Sequence, residues 1–131
     1  MQIRASAEDY LETILLLSRK TGEIRSIDIV EEMGFTKPSV SVAMKKLRGN
    51  DLIRMNEDGY ITLTKKGEAA AKNVYERHSI LYDWLRQIGV SEKIAAADAC
   101  RMEHILSNET FEAVKTLLET GNNDEITREK A

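Results

Sequence analysis

Three side chains of metal-ligand type share one helical turn in the stretch DACRMEHILS. Cys100, Glu103 and His104 stand at i, i+3 and i+4, so a helix would present a thiolate, a carboxylate and an imidazole on a single face. Burying such a set is costly without a partner, and a divalent cation would neutralise the negative charges and use the lone pairs of the donors. This turn therefore predicts a metal site.

Further candidate ligands lie in two distant segments of the chain. Asp9 and Glu12 repeat the i, i+3 spacing near the N-terminus, and His78 replaces an apolar residue in the stripe of a third segment. Asp9 could instead complete a capping box with Ser6, and Glu12 could be a solvated helix residue. His78 could be a hydrogen-bonded core histidine, and Cys100 a small buried hydrophobe. The combination favours a metal more than any single residue does.

Between these donors the sequence predicts a winged helix-turn-helix. Ser26 is placed to cap a short helix, and Thr36 to cap a second one that carries the chain's only proline in its first turn. Two β-prone runs at 52–55 and 60–63 flank an Asp-Gly step, which is a strong hairpin signal. This hairpin would form the wing.

Amphipathic helices surround the winged module. One is expected at about residues 6–21, a long one keeps an apolar seam from Ala71 to Ile88, and the last of two further helices ends at Gly121. The sequence thus predicts a mainly α fold. Its divisions are a winged helix-turn-helix DNA-binding domain at 1–66, a helical metal-binding domain at 67–121, whose apolar stripes are available for a dimer, and a flexible polar tail at 122–131.

Composition narrows the class of protein further. No apolar run approaches the roughly 20 residues that span a bilayer, and the N-terminus lacks the apolar core of a secretory signal, so a cytoplasmic protein is expected. The net charge of −3 disfavours a constitutive nucleic-acid binder. However, residues 36–66 carry seven basic against three acidic side chains, whereas residues 67–131 carry eight against twelve. The basic surplus coincides with the predicted DNA-reading elements.

The second helix of the helix-turn-helix would enter the major groove and present its N-terminal residues to base edges. Its buried positions are predicted to be Val40, Met44 and Leu47. The candidate DNA contacts, on the opposite face and in the wing, are Lys37, Pro38, Ser39, Ser41, Val42, Lys45, Lys46, Arg48 and Arg54. The hydroxyls and the valine are candidates for base contacts, and the basic side chains for phosphate contacts. A solvated basic face is the alternative interpretation.

A family resemblance joins these features. Asp9-Tyr-Leu-Glu12, the winged helix, Arg77-His78, Ile88-Gly89-Val90 and the stretch from Cys100 to Ser107 together resemble the diphtheria-toxin-repressor family of metal-dependent regulators, from about residue 3 to residue 120. The resemblance implies that the ligands include Asp9, Glu12, His78, Glu103 and His104. Asp9 with Glu12 resembles the pattern of the manganese-responsive branch. Cys100 departs from that pattern and resembles the iron-responsive branch. Iron-type members usually add an SH3-like third domain, which is not expected here.

The resemblance also implies a function. The expectation is a repressor of manganese or iron homeostasis genes that binds a palindromic operator in double-stranded DNA as a homodimer. Mn²⁺ or Fe²⁺ is the expected ion, and Co²⁺, Zn²⁺ or Cd²⁺ could bind in vitro, since a thiolate favours softer ions. The preferred primary site is Asp9, Cys100, Glu103 and His104, with Glu12 and His78 supporting a second, weaker ion. Tyr82 and Ala96 could not complete the ancillary site of iron-type relatives.

Two alternatives belong to other classes. A small metalloenzyme could use the Cys, Glu and His donors for a catalytic zinc, but it would leave the wing and the basic helix unused. A winged-helix regulator could respond instead to a protein or a small molecule, with these polar residues serving only the structure. The apolar stripes of the last helices could likewise form an intramolecular core rather than a dimer interface.

Overall fold

A computed structural model describes the backbone of residues 2–130 and the side chains of residues 7–120. The elements are α1 (Gln2–Thr21), α2 (Ser26–Met33), α3 (Lys37–Gly49), β1 (Ile53–Met55), β2 (Ile61–Leu63), α4 (Lys65–Gln87), α5 (Glu92–Ile105) and α6 (Asn108–Lys130). The chain divides into two compact units, the first ending at Tyr75 and the second beginning at Glu76, within α4. None of the helices in this described stretch is long and apolar enough to cross a membrane.

In the first unit, α2 and α3 form the predicted helix-turn-helix. The Thr36 hydroxyl accepts a backbone hydrogen bond of 3.3 Å at the start of α3. Gly34 ends α2 with a φ of 70°, a left-handed conformation that glycine adopts without strain. The predicted Ser26 cap is wrong by one residue. Arg25 is the N-cap of α2, because the Asp28 carboxylate accepts its backbone N–H at 2.8 Å.

The core of the first unit holds one face of α3 inward. Val40, Met44 and Leu47 are buried as predicted. They pack in a cluster with buried isoleucines from α1, α2, the wing and the segment before α2: Ile14, Ile24, Ile29, Ile53 and Ile61. This packing leaves the opposite face of α3 at the surface.

The wing is an antiparallel pair of strands, and β2 also forms a single bridge with Ile24. Ile53 pairs with Leu63 and Met55 with Ile61, so each strand starts one residue later than predicted. Ile61 also donates its backbone N–H to the carbonyl of Ile24 at 2.8 Å. The wing is therefore tied to the segment that leads into α2.

The start of α4 packs tightly under the wing. Thr64 caps the helix as predicted, since its hydroxyl accepts the Gly67 N–H at 3.0 Å and donates to the carbonyl of Asp51 at 2.7 Å. A Cβ on Gly67 would lie 1.9 Å from the carbonyl oxygen of Leu52. Only glycine allows this approach.

The second unit contains the end of α4, α5 and α6. Its core is a cluster of Leu81 and Leu85 from α4 with Ala95 and Ala99 from α5. Ile88, expected to continue the seam of α4, is 60% exposed because the helix ends at Gln87. The small alanines of α5 leave room for larger side chains of α4.

Two other helix limits differ from expectation. α1 begins at Gln2, before the predicted Ser6 cap, whose side chain lies outside the described residues. α6 continues to Lys130 instead of ending at Gly121. A single glycine inside a helix costs only about 1 kcal/mol, which is too little to end one by itself. The side chains of the predicted flexible tail at 122–131 lie outside the described range, so its flexibility stays a prediction.

Candidate metal centre and DNA-reading surface

A glutamate stands where α5 would otherwise be apolar. Ala95, Ala99 and Glu103 follow each other at i, i+4 and i+8, and all three are fully buried. Glu103 is the only buried acidic side chain among the described residues. A carboxylate without solvent requires compensating charge or hydrogen bonds, so its neighbours define the site.

Two imidazoles face the Glu103 carboxylate. Nδ1 of His78, on α4, lies 3.1 Å from Oε2, and Nε2 of His104 lies 3.4 Å from Oε1. The His78 side chain is 30% exposed and that of His104 10%. Oε2 thus has a hydrogen bond with His78, whereas the buried Oε1 has no hydrogen-bond partner among the described residues and only the longer contact with His104.

Cys100 completes the cluster within the second unit. Its thiol is exposed on α5, and one ligand atom each from Cys100, Glu103 and His104 lies within 4.8 Å of the others. Two donors to one ion at typical Zn–S and Zn–N lengths are at most about 4.4 Å apart. A small side-chain rotation would bring all three onto a single ion. The donor set and its burial therefore fit a divalent cation.

The two N-terminal candidates lie on α1 in the first unit. Asp9 and Glu12 are half-buried and three residues apart, so they share a face of the helix. Tyr10 and Leu11 between them point into the core, and burial raises the pKa of Tyr10. The core contacts of these neighbours fix the rotation of α1 and hence the direction of both carboxylates.

The predicted DNA-reading side chains form an exposed surface. All the candidate residues are exposed, namely Lys37, Pro38, Ser39, Ser41, Val42, Lys45, Lys46 and Arg48 on α3 and Arg54 on β1. Val42 is 55% exposed, so its side chain is available for contact outside the core. The Thr36 hydroxyl donates to the Ser39 hydroxyl at 2.9 Å, so the oxygen of Ser39 already has one partner at the helix start.

Sequence reasoning missed a contact that orients the wing. The Arg25 guanidinium lies 4.4 Å from the centroid of the Tyr60 ring, which is cation–π distance. Arg25 directly follows Ile24, the residue that pairs with β2. The contact joins the start of α2 to the wing, and a basic residue next to a predicted N-cap was its only sequence signal.

Arg77 is the second residue whose role was missed. In the sequence it stands only as part of the Arg77-His78 pair, yet the residue is 9% exposed and its guanidinium donates to two backbone carbonyls at the end of α5. Its position three residues after Val74 and four before Leu81 places it on the inner face of α4. That placement was the available signal.

A winged helix-turn-helix followed by a helical unit with a metal-ligand cluster defines a metal-responsive DNA-binding regulator. The family model "Iron dependent repressor, N-terminal DNA binding domain" matches residues 2–69. The model "Iron dependent repressor, metal binding and dimerisation domain" matches residues 64–129. The chain belongs to the iron-dependent repressor family. The expected diphtheria-toxin-repressor type is thus confirmed.

Known relatives agree with this assignment. The chain is 38% identical over 112 residues to the transcriptional regulator MntR of Escherichia coli O6:H1, covering 86% of this chain and 72% of that one. It resembles the structure of the manganese regulator SloR with 30% identity and a TM-score of 0.77, and that of ScaR with bound Zn²⁺ with 26% identity and a TM-score of 0.73. Both comparisons cover 86% of this chain and 53% of the solved chain, so the chain spans about half the length of those structures.

Family membership decides between the classes considered from the sequence. The mainly α fold with an N-terminal winged helix and a helical dimerisation domain is confirmed. The family consists of transcriptional repressors rather than enzymes, so the metalloenzyme alternative is not supported. The chain is a metal-dependent DNA-binding repressor, and the partner-responsive alternative is not favoured either.

Proposed function

We propose that this protein represses genes of manganese or iron homeostasis, and that binding of a divalent metal favours its operator-binding form. The observation that carries the proposal is the buried Glu103 carboxylate, set between two imidazoles and beside a thiol. This cluster occurs in a chain that also exposes a basic helix next to a wing. The proposed location is the cytoplasm, as expected of a DNA-binding regulator.

The proposed primary site consists of Asp9, Cys100, Glu103 and His104, with Glu12 and His78 supporting a second, weaker ion. The cluster in the second unit supplies three of the primary donors, and family membership supports the contribution of α1. Each Glu103 oxygen faces a different imidazole, which supports a bridging role for this carboxylate between two ions.

A bound divalent cation would neutralise the carboxylates and the thiolate and would link donors from separate helices. For this, both imidazoles must be neutral and the Cys100 thiol deprotonated. Without an ion, Asp9, Glu12 and Glu103 would repel one another. Metal binding therefore favours the DNA-competent arrangement, and a tenfold preference for it amounts to about 1.4 kcal/mol.

The identity of the ion depends on conflicting preferences. Carboxylates suit Mn²⁺, whereas a thiolate favours Fe²⁺, Co²⁺ or Zn²⁺. The relatives are named as a manganese regulator and as a protein with bound Zn²⁺. We infer that Mn²⁺ or Fe²⁺ is the physiological ion, and that Co²⁺, Zn²⁺ or Cd²⁺ also binds in vitro because of Cys100.

The proposed DNA target is a palindromic operator in double-stranded DNA, bound by a homodimer. In this arrangement α3 enters the major groove, and each half-site meets one copy of the helix. Ser39, Ser41 and Val42 would contact bases. The proposed phosphate contacts are Lys37, Lys45, Lys46, Arg48 and Arg54. Pro38 would lie at the DNA surface in the first turn of the helix. Their common exposure supports this division of roles.

We further propose that the functional domains are residues 1–66 for DNA binding and 67–121 for metal binding and dimerisation, followed by a flexible tail at 122–131. The two family models overlap at residues 64–69, which supports the first boundary. The long helix α4 would then carry its first residues at the wing and His78 at the metal site.

Glu103→Gln tests the proposal, because it keeps the shape of the side chain and removes its charge. The control is Glu112→Gln on the exposed side of α6. We expect Glu103→Gln to lose metal-stimulated DNA binding in fluorescence anisotropy, while circular dichroism and sedimentation show an intact fold and dimer. Glu112→Gln should behave as wild type. Unchanged metal stimulation of DNA binding in Glu103→Gln would refute the role of Glu103 in metal control. If wild-type protein bound DNA equally well with chelator and with metal, a partner-responsive regulator would be favoured.

A further inference from the structure

Arg77 is the only basic side chain that is buried among residues 7–120. Its Nη1 donates hydrogen bonds of 3.0 Å to the carbonyl oxygens of Glu103 and Leu106. The last carbonyls of a helix have no partner within the helix, and positive charge at that end is favourable. Arg77 therefore completes the C-terminal end of α5.

The same guanidinium also holds the beginning of α6. Its Nη2 donates to Oδ1 of Asn108, the first residue of that helix, and the group lies 5.0 Å from the centroid of the buried Phe111 ring. Guanidinium is suited to such a junction because its donors form a rigid planar fork and its face stacks on aromatic rings. One side chain thus fixes the connection between α5 and α6.

His78, the next residue of α4, contacts the side chain of Glu103, whose backbone Arg77 binds. A carboxylate with both its backbone and its side chain held has little freedom to leave the cluster. The start of α6 is fixed by the same guanidinium.

We propose that Arg77 is a positioning residue that presets Glu103 for the metal and makes the metal site and the start of α6 move together. This inference rests on the proposed function and deepens it. Arg77 itself does not touch the ion, and its contribution is to the alignment of the donors. Groups that orient metal ligands typically change metal affinity by about 10–100-fold when they are removed.

The test compares Arg77→Met and Arg77→Lys with Lys115→Met. Lys115 also joins α4 to α6, through a 2.7 Å ion pair with Glu76, but both partners are partly exposed, and Glu76 immediately precedes Arg77. The chain has two histidines, His78 and His104, both at Glu103. Long-range ¹H–¹⁵N NMR of the imidazoles in the metal-free protein therefore reports on the site directly.

We expect both imidazole signals to shift in Arg77→Met and the affinity for Mn²⁺ to fall about 10–100-fold. Arg77→Lys should show smaller changes of the same kind, and Lys115→Met none. A folded Arg77→Met with wild-type imidazole signals and metal affinity, changed only in melting temperature, would overturn the inference.

A milder variant covers the case in which Arg77→Met does not fold. Asn108→Ala removes the side-chain oxygen that accepts a hydrogen bond from the Arg77 guanidinium. This variant should shift the imidazole signals in the same direction as Arg77→Met, but to a smaller extent. Wild-type signals in Asn108→Ala would count against the inference. Failure of the wild-type protein to bind any divalent ion would refute the proposed function. The imidazole comparison in the metal-free protein would still decide whether Arg77 positions Glu103.

Discussion

Replacing Gly67 by alanine should destabilise the first unit. The added Cβ would lie 1.9 Å from the carbonyl oxygen of Leu52 and 2.8 Å from its carbonyl carbon, distances that real Cβ atoms do not reach. Both opposing atoms are backbone, so no flexible side chain can move aside. Either β1 or the start of α4 must shift. We expect a loss of about 3 kcal/mol, at the upper end of the usual cost of overpacking.

The matched control is Gly49→Ala at the end of α3. Gly49 has no atom within 4 Å of an added Cβ, and its φ is not positive, so alanine should be neutral or stabilise by about 0.5–1 kcal/mol. Thermal unfolding followed by circular dichroism should place Gly67→Ala roughly 12 °C below wild type, at about 4 °C per kcal/mol. Equal midpoints for the two variants would refute the close packing of α4 against the wing.

Four further predictions concern metal, DNA and pH. Cys100→Asp should raise the preference for Mn²⁺ over Zn²⁺ in metal titrations, because it replaces a soft donor by a hard one, and an unchanged ratio would mean that the thiol is not a ligand. Lys46→Met should weaken binding to all DNA sequences alike and reduce the slope of log K against log salt by about 0.9, whereas an unaltered slope would exclude a phosphate contact. Val42→Ser should lower the preference for the operator over a site in which the contacted thymine is replaced, by about 1 kcal/mol, and should leave non-specific binding unchanged. Equal loss of affinity for the operator and for the replaced site would contradict a contact between Val42 and a base. The Glu76 carboxylate raises the pKa of Lys115, so this pair stabilises the protein below about pH 10.4 and the contribution is lost as pH rises further. Urea unfolding of Glu76→Gln should therefore lose less stability than wild type between neutral and alkaline pH, and parallel curves would count against the pair.

The features that were predicted from sequence depend on local signals. Thr36 and Thr64 begin helices because their hydroxyls satisfy free backbone donors a few residues away. The wing follows from an Asp-Gly turn between two β-prone runs, and the donors at 100, 103 and 104 share a turn by spacing alone. These signals need no knowledge of the tertiary structure.

The features that were missed depend on distant residues. Arg77 meets partners 26 to 31 positions away, and Arg25 meets a ring on the wing. A sequence pattern shows that Arg77 faces inward but not which carbonyl groups it finds there. The end of α6 was predicted from Gly121, and the small helix cost of one glycine was not decisive.

The central claim is that a divalent metal controls DNA binding, and capture of fragmented genomic DNA tests it most directly. The purified protein would be incubated anaerobically with chelator, Mn²⁺ or Fe²⁺, and the retained fragments sequenced. We predict retention of a small set of sites with a shared palindrome in the presence of metal, and little retention with chelator. Equal retention of the same sites in chelator would contradict metal control and would assign the Glu103 cluster a purely structural role.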